Sequence, residues 1–294
     1  MSEPRKHHFV PQFLLRGFAD ERDRLVVHPL LGTTPYLSTI RDVGHQNDGH
    51  TLYRRDGTID RKSLEDAMSE IEGEAATTVR ALVGGAELTR DRQCILAWFM
   101  ALQWHRSRYL LDSVAAEVGR GGLTQEELQT GILHVVMLPF FSAWHNRNDM
   151  NVRYKYRWDR VVEATMESFV WALRRFRHDS LVLGDQTVCL WGVRPGGVPT
   201  INQAWARHGI GIGWDDVARV TVPLTPRLAL LLTRHGAPNR LSAPAFNRAT
   251  VYNARRFLVH TPNWGENSPG LVQAFDDAMA RQRMLAPVFY RNQF

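Results

Sequence analysis

The stretch "RKHHFVPQFLLRGF" (residues 5–18) organises the start of the chain, because two adjacent histidines precede a proline by only a few residues. Pro11 fixes its own φ and biases Val10 towards an extended conformation, so we expect a strand carrying His7 and His8 to end in a turn. Successive side chains on a strand point to opposite faces. Both imidazoles can therefore meet at one centre only if the strand ends at the histidine pair, and we expect that it does.

Length and composition exclude several classes of protein. The 294 residues suffice for one large domain or two smaller ones with a full apolar core. A run of about 20 apolar residues is absent and the start "MSEPRKHH" lacks an apolar signal region, so we expect no membrane span and no secretion. The two cysteines, Cys94 and Cys189, lie far apart. This usage favours reduced thiols in a cytoplasmic protein over a disulfide scaffold or a cysteine zinc site.

The charge balance is basic. The formal net charge is +6 and the sequence pI is about 9.7, which permits binding to a polyanion such as nucleic acid. Of the 36 basic residues only Lys6, Lys62 and Lys155 are lysines. The base composition of a genome also produces such an arginine bias, so the charge favours a nucleic-acid partner only modestly.

The pattern of the chain predicts an α+β fold with three regions, which we expect to form one integrated domain. Residues 1–60 are β-rich, and "RLVVHPL" (24–30) with "PYLSTI" (35–40) predicts a hairpin. Residues 61–178 form a central helical bundle, and residues 179–294 combine strands with short helices. In the last region, Pro223 and Pro226 restrict the strands to edges or bends.

Three signals define helices in the central region. Ser63 is expected to cap a helix whose apolar residues recur at three- and four-residue steps as one buried stripe. That stripe consists of Leu64, Met68, Ile71, Ala75, Val79 and Leu82. Thr124 and Glu127 have the spacing of a capping box. A further helix is expected over residues 157–177.

The histidine pair supplies the groups that phosphodiester hydrolysis needs, if one imidazole binds a divalent metal and the other takes a proton from water. "HHFVPQFLL" (7–15) resembles the first motif of the HNH, or ββα-metal, nucleases. That resemblance implies His7 as metal ligand, His8 as general base, and Mg, Mn or Zn as the ion. The later asparagine and third ligand of that superfamily correspond best to Asn47 and His50, provided that the segment between Phe18 and Asp42 returns them to the metal.

A wider pattern resembles a bacterial family of unknown function, domain-of-unknown-function family 4238. Its opening signature, Lys-His-His-x-Val-Pro-Gln-x-x-Leu-Arg-x-Phe, is matched by residues 6–18. The further matches are Gln103 and Arg106 in the middle of the chain, Asp185, the turn at 223–226 and the asparagine-bearing segment 247–256. The resemblance covers nearly the whole chain and implies no established activity.

Gln103 and Arg106 project polar groups from an apolar helix face. Burying an unpaired guanidinium is costly, so a carboxylate or a phosphate should meet Arg106. Asp185, which follows Gly184 at a strand end, is one candidate, and a substrate phosphate is the other. Both sites also have structural explanations, as a buried ion pair around Arg106 and as a turn residue at Asp185.

Two classes of function follow. The first is a metal-dependent nuclease acting on nucleic acid, with His8, Gln103, Arg106 and Asp185 as catalytic residues and His7, Asn47 and His50 as metal ligands. The second is a non-catalytic binding or regulatory module, in which the histidines are a structural clasp that ties the chain start to the central helices. An enzyme acting on a small phosphorylated molecule would use the same residues.

Overall fold

The computed structural model describes residues 5–31, 34–107, 110–111, 114–115, 122–149, 159–194, 196, 213–235, 240–266 and 268–290. These residues form helices and antiparallel sheets, which confirms the predicted α+β class. Within the same ranges, no helix is both long enough and apolar enough to cross a bilayer.

The helices, in chain order, are α1 Gln12–Gly17, α2 Ser63–Val83, α3 Arg90–His105, α4 Gln125–Asn146, α5 Arg160–Ser168, α6 Ala243–Asn253 and α7 Pro269–Tyr290. The strands are β1 Lys6–His8, β2 Arg24–Pro29, β3 Tyr36–Thr39, β4 His45–Asn47, β5 Leu52–Tyr53, β6 Ile59–Asp60, β7 Val170–Arg175, β8 Leu183–Gly184, β9 Cys189–Val193, β10 Val217–Thr225, β11 Leu228–Thr233 and β12 Phe257–His260.

The chain divides into two compact units whose segments alternate in sequence. The first unit comprises Met1–Phe9 and Gly44–Glu167, and the second comprises Val10–Val43 and Ser168–Phe294. The first therefore contains β1, β4 to β6 and the helices α2 to α5, and the second contains the remaining elements. As a result, the histidine pair belongs to the unit built by the central helices.

In the first unit, α2 presents the predicted apolar stripe. Leu64, Met68 and Ile71 are buried, and the stripe continues to Leu82. The predicted cap is wrong by one position, because Ser63 is the first helical residue. The capping group is the carboxylate of Asp60, which accepts hydrogen bonds from the Ser63 backbone N–H at 3.0 Å and its hydroxyl at 2.7 Å.

Helix α4 begins with the predicted capping box between Thr124 and Glu127, which is confirmed. The same end of α4 holds the segment that follows β4. The Gln129 Nε2 donates to the carbonyls of Asp48, at 2.8 Å, and Thr51, at 3.0 Å. Because these bonds bracket His50, α4 restrains the backbone that carries this histidine.

The second unit contains two four-stranded antiparallel sheets. Their strand orders are β7-β11-β10-β9 and β3-β2-β12-β8, and the predicted hairpin is confirmed as β2 and β3. Pro223 lies in an inner strand, yet β9 pairs only with residues 217–221 of β10, and the register against β11 shifts just after Pro223. A proline without an N–H is tolerated at such an irregularity, as the sequence predicted.

The helix predicted over residues 157–177 ends at Ser168, so its second half is wrong. Residues 170–175 form β7, which pairs along its whole length with β11, from Val170 opposite Thr233 to Arg175 opposite Leu228. Helical spacing of apolar residues does not reveal a partner strand so distant in sequence. The cross-strand pairing therefore overrides the local helical pattern.

Two buried asparagines of α6 complete the hydrogen bonding of neighbouring extended segments. Asn247 accepts from the Val182 N–H at 3.1 Å and donates to the Ser180 carbonyl at 2.8 Å. Asn253 accepts from the Leu190 N–H at 3.2 Å and donates to its carbonyl at 3.1 Å. Each amide bonds backbone N–H and carbonyl groups as a neighbouring strand would, so the role of both residues is structural.

Asn247→Ala is expected to lower the free energy of unfolding of the second unit by about 1–3 kcal/mol, because the buried Val182 N–H loses its acceptor. Hydrogen exchange of peptides from that unit, followed in increasing urea, measures the change. Gln273→Ala is the matched control, since its amide bonds Asp277 at the surface. Equal stability of the Asn247 variant and the control would contradict the structural role.

Candidate functional site

The first unit brings together two histidines that are 43 residues apart in sequence. His7 on β1 is 1% exposed, and His50 lies just beyond β4, 4% exposed. The two rings are parallel, with their centroids 5.7 Å apart. The His50 backbone N–H donates to Nδ1 of His7 at 2.9 Å, so the main chain fixes the orientation of the first ring.

A carboxylate from the first turn of α2 completes the cluster. Nδ1 of His50 lies 2.6 Å from Oε1 of Glu65. Burial acts to raise the pKa of Glu65, but the hydrogen bond from His50 and the electrostatic interactions with His50, His7 and Arg106 outweigh it and lower the pKa. Glu65 is therefore an anion at neutral pH, and its carboxylate accepts a hydrogen bond from the Nδ1–H of His50.

These hydrogen bonds assign the tautomers of both rings. Nδ1 of His7 accepts a bond from an N–H, so the proton of the neutral ring is on Nε2. Nδ1 of His50 donates to Glu65, so its Nε2 carries the lone pair. Nε2 of His50 makes no hydrogen bond to any residue that the structure describes. A carboxylate thus orients a histidine whose other nitrogen is basic, as in many catalytic sites.

Potential ligand atoms of His7, His50 and Glu65 all lie within 4.8 Å of one another, the one such group among the described histidines, cysteines and acids. An ion at Nδ1 of His7 would have to displace the His50 N–H, and Nε2 of that neutral ring carries a proton. An ion between His50 and Glu65 would replace their hydrogen bond. The arrangement as it stands therefore suits proton transfer better than metal binding.

His8 faces away from this cluster. It is the last residue of β1 and pairs with His45 of β4, and their ring centroids are 5.6 Å apart. The expectation that His7 and His8 meet at one centre is wrong, because β1 runs through both residues and their side chains alternate between its faces. The backbone carbonyl of His8, rather than its ring, contacts Arg106, at 3.4 Å.

Asn47, the third predicted metal ligand, is not part of the cluster. It is exposed and pairs with Lys6 across the β1–β4 ribbon, which places it on the same face as His8. The structure therefore brings His7 and His50 together as predicted, but it supplies Glu65 instead of Asn47. Glu65 was missed because a first-turn glutamate usually stabilises the helix dipole.

Gln103 and Arg106 lie at the end of α3 and are 3% and 2% exposed. Nη1 of Arg106 is 2.5 Å from Oε1 of Glu72 on α2, and Nη2 donates to Oε1 of Gln103 at 3.0 Å. A carboxylate meets the guanidinium, as the sequence predicted. That carboxylate is Glu72 and not Asp185, since α2 packs directly against α3.

One small cavity adjoins the histidine cluster, and a larger cleft lies next to that cavity. The smaller has a volume of about 10 Å³, close to the space of one water molecule, and its wall includes His7, His50 and Arg106. The larger is a cleft of about 150 Å³ lined by α4 and the segment after β4. Gln46, Gly49 and Leu111 line both, so the cleft lies next to the small cavity that contains the histidines.

A family model described as "Protein of unknown function (DUF4238)" matches residues 6–263 of the chain. The chain belongs to the DUF4238 family. No curated protein and no solved structure gives a significant match. The family membership agrees with the resemblance carried by residues 6–18.

Asp185 of this DUF4238 protein lies in the second unit, where backbone groups occupy its carboxylate. Its two oxygens accept from the N–H groups of Arg255, at 2.8 Å, and Arg256, at 3.1 Å. Burial raises the pKa of Asp185, although these two hydrogen bonds act to lower it. The contacts hold the turn between α6 and β12, which corresponds to the structural alternative expected for this residue.

Proposed function

We propose that this DUF4238 protein is a hydrolase that cleaves phosphodiester bonds in nucleic acid, with His50 as general base and Glu65 as its positioning residue. The observation that carries the proposal is the 2.6 Å hydrogen bond from His50 Nδ1 to Glu65, which leaves the lone pair on Nε2 of a histidine that lines a cavity. The net charge of +6 supports a polyanionic substrate.

In this mechanism Nε2 of His50 takes a proton from a water molecule as the water oxygen forms a bond to phosphorus. The bond from phosphorus to the leaving oxygen then breaks, and the protonated His50 returns the proton to that oxygen. Glu65 remains an anion throughout and stabilises the transient imidazolium. The general base is thus assigned to His50, in place of the His8 that the HNH resemblance implied.

The divalent ion predicted from the sequence stays a prediction. His50 and Glu65 form a base without one, and the hydrogen bond to Nδ1 of His7 has to open before an ion binds there. Assays with EDTA and with added Mg²⁺, Mn²⁺ or Zn²⁺ determine whether cleavage needs an ion. Cleavage that persists in EDTA would exclude the metal-dependent form of the hypothesis.

His50→Gln is expected to slow cleavage of labelled DNA or RNA at least about 100-fold, because glutamine cannot accept a proton at neutral pH. His134→Gln, on the exposed face of α4, is the control and should keep the wild-type rate. Circular dichroism and the melting temperature show whether each variant is folded. Wild-type cleavage by a folded His50→Gln variant would overturn the assignment.

The alternative, a non-catalytic module with a structural clasp, is favoured by one specific observation. The β1 backbone and the His7 ring both bind the interior of the first unit, through the His8 carbonyl to Arg106 and through Nδ1 of His7 to the His50 N–H. If this is their whole role, His7→Phe lowers the melting temperature while the wild type cleaves no DNA or RNA, with or without metal. Cleavage by the wild type eliminates this alternative.

A further inference from the structure

The cleft beside the histidine cluster is lined by both apolar and polar side chains. Leu128, Ile132 and Leu133 project from successive turns of α4 to form the apolar wall. Gln46 and Gln129 lie among the polar lining residues. Such a combination of an apolar slot with a few fixed polar groups is typical of sites for small organic ligands.

The size of the cleft limits what can occupy it. A dry protein cavity of about 150 Å³ is known to hold one benzene molecule, and this cleft has a volume of about 150 Å³. One six-membered ring therefore fits, whereas a base pair of a duplex does not. A nucleic-acid ligand has to present an unpaired, unstacked base, as enzymes that act on single bases require.

One residue that lines the cleft carries an unsatisfied polar atom. Oε1 of Gln46 is buried and has no hydrogen-bond partner among the residues that the structure describes, and Gln46 lines both cavities. The neighbouring Gln129 already uses its amide N–H groups on the carbonyls of Asp48 and Thr51. A buried acceptor without a partner is costly, so a donor of a bound ligand is expected at Gln46.

We propose that the cleft binds a single pyrimidine base, which donates an N–H to Oε1 of Gln46 and packs its ring against Leu128 and Ile132. The attached phosphate then lies towards the small cavity and His50. This inference rests on the proposed function for the placement of the phosphate, and it names the substrate class of that site: a pyrimidine nucleotide, free or at an unpaired position of a single strand.

Binding without catalysis tests the proposal. Purified protein in EDTA is titrated with CMP, UMP, AMP, GMP and ribose 5-phosphate, and affinities are measured by calorimetry or by chemical shifts. CMP or UMP should bind at least about tenfold more tightly than ribose 5-phosphate, because the base supplies both ring packing and a hydrogen bond. The same titration with short single strands, with and without one pyrimidine, shows whether the cleft binds a pyrimidine within a strand or only the free nucleotide.

Two variants locate the base. Leu128→Trp replaces a half-buried lining residue by a larger one that fills part of the cleft, and it should weaken CMP binding at least about tenfold. Val135→Trp, on the exposed face of the same helix, should not. Gln46→Leu removes the acceptor and should weaken CMP binding by up to about tenfold.

Equal affinity for CMP and ribose 5-phosphate, or CMP binding unaffected by both Leu128→Trp and Gln46→Leu, would overturn the proposal. Failure of the hydrolase proposal gives a different result, since CMP then binds in the cleft and no strand is cleaved. Cleavage without pyrimidine-dependent binding would leave His50 as the base and remove the cleft from substrate recognition.

Discussion

Arg106→Met is expected to lower the free energy of unfolding of the first unit by about 3–5 kcal/mol. The guanidinium is 2% exposed and is the counter-ion of Glu72 as well as a donor to Gln103 and the His8 carbonyl. Methionine fills much of the same volume but leaves Glu72 as a partly buried charge without its partner.

The comparison that isolates this ion pair is the double variant Arg106→Met, Glu72→Leu. Replacing both partners of a buried pair by apolar groups is often close to neutral, so the double variant should recover most of the lost stability. Hydrogen exchange of α2 and α3 peptides in urea gives the values, and Arg80→Met on the exposed face of α2 is the control. Equal destabilisation of the single and double variants would show that the lost stability does not come from the unpaired charge of Glu72.

The second unit is expected to lose stability as the pH falls from about 6.5 towards 4, because it buries two neutral histidines in contact. Nε2 of His28 lies 2.7 Å from Nε2 of His260, and Nδ1 of His260 donates to the Thr261 carbonyl at 2.7 Å. His260 therefore accepts through Nε2, and His28 donates. Burial lowers the pKa of His28 to about 4, with smaller effects of His260 and Arg283, and burial also lowers the pKa of His260.

Proton linkage gives the direction in which the stability of the second unit changes with pH. The pKa of folded His28, about 4, lies below the value near 6.5 of the unfolded chain, so the unfolded chain binds the proton first as the pH falls. The contribution of neutral His28 is complete above about pH 6.5 and is lost progressively down to about pH 4. For this one group the loss is on the order of 3 kcal/mol.

Carboxylates titrate in part of this range, so the measurement compares variants. The free energy of unfolding of the second unit is determined between pH 7 and 4.5 for the wild type, His28→Leu and His178→Asn. His28→Leu should flatten the pH dependence, whereas His178→Asn, at an exposed position, should leave it unchanged. An identical slope for wild type and His28→Leu would contradict the assigned protonation states.

Local patterns predicted those parts of the fold that depend on neighbours in sequence. The stripe of α2, the capping box of α4 and the hairpin of β2 and β3 are of this kind. β7 was missed because its six residues are defined by β11, which lies far along the chain. The alternation of the two units in sequence had no local signal either, because the pairing of β1 with β4 leaves no periodic trace in the 36 residues between them.

The residues of the candidate site also fall into those that local sequence predicted and those that depend on how distant segments pack. Arg106 and Gln103 were predicted because polar groups on an apolar helix face are unusual. His7 was predicted because it belongs to an adjacent histidine pair, and His50 because the HNH resemblance implied a further ligand there. Glu65 and Glu72 were not, since the choice of a partner among the many acids of α2 depends on how that helix packs against α3 and the β1–β4 ribbon. The end of β1 at His8 was predicted correctly, but His8 is still paired in the strand, so the alternation of side chains separates it from His7.

The alternating segments of the two units have a practical consequence for dissecting this protein. Neither unit corresponds to a continuous stretch of residues, so a truncated chain of residues 1–167 retains the whole first unit only together with residues 10–43 of the second. A version of the first unit that retains β1 needs residues 1–9 rejoined to residues 44–167 by a new linker. Simple truncation therefore tests the first unit only with residues 10–43 attached, and the rejoined chain is the one that tests whether the first unit is active by itself.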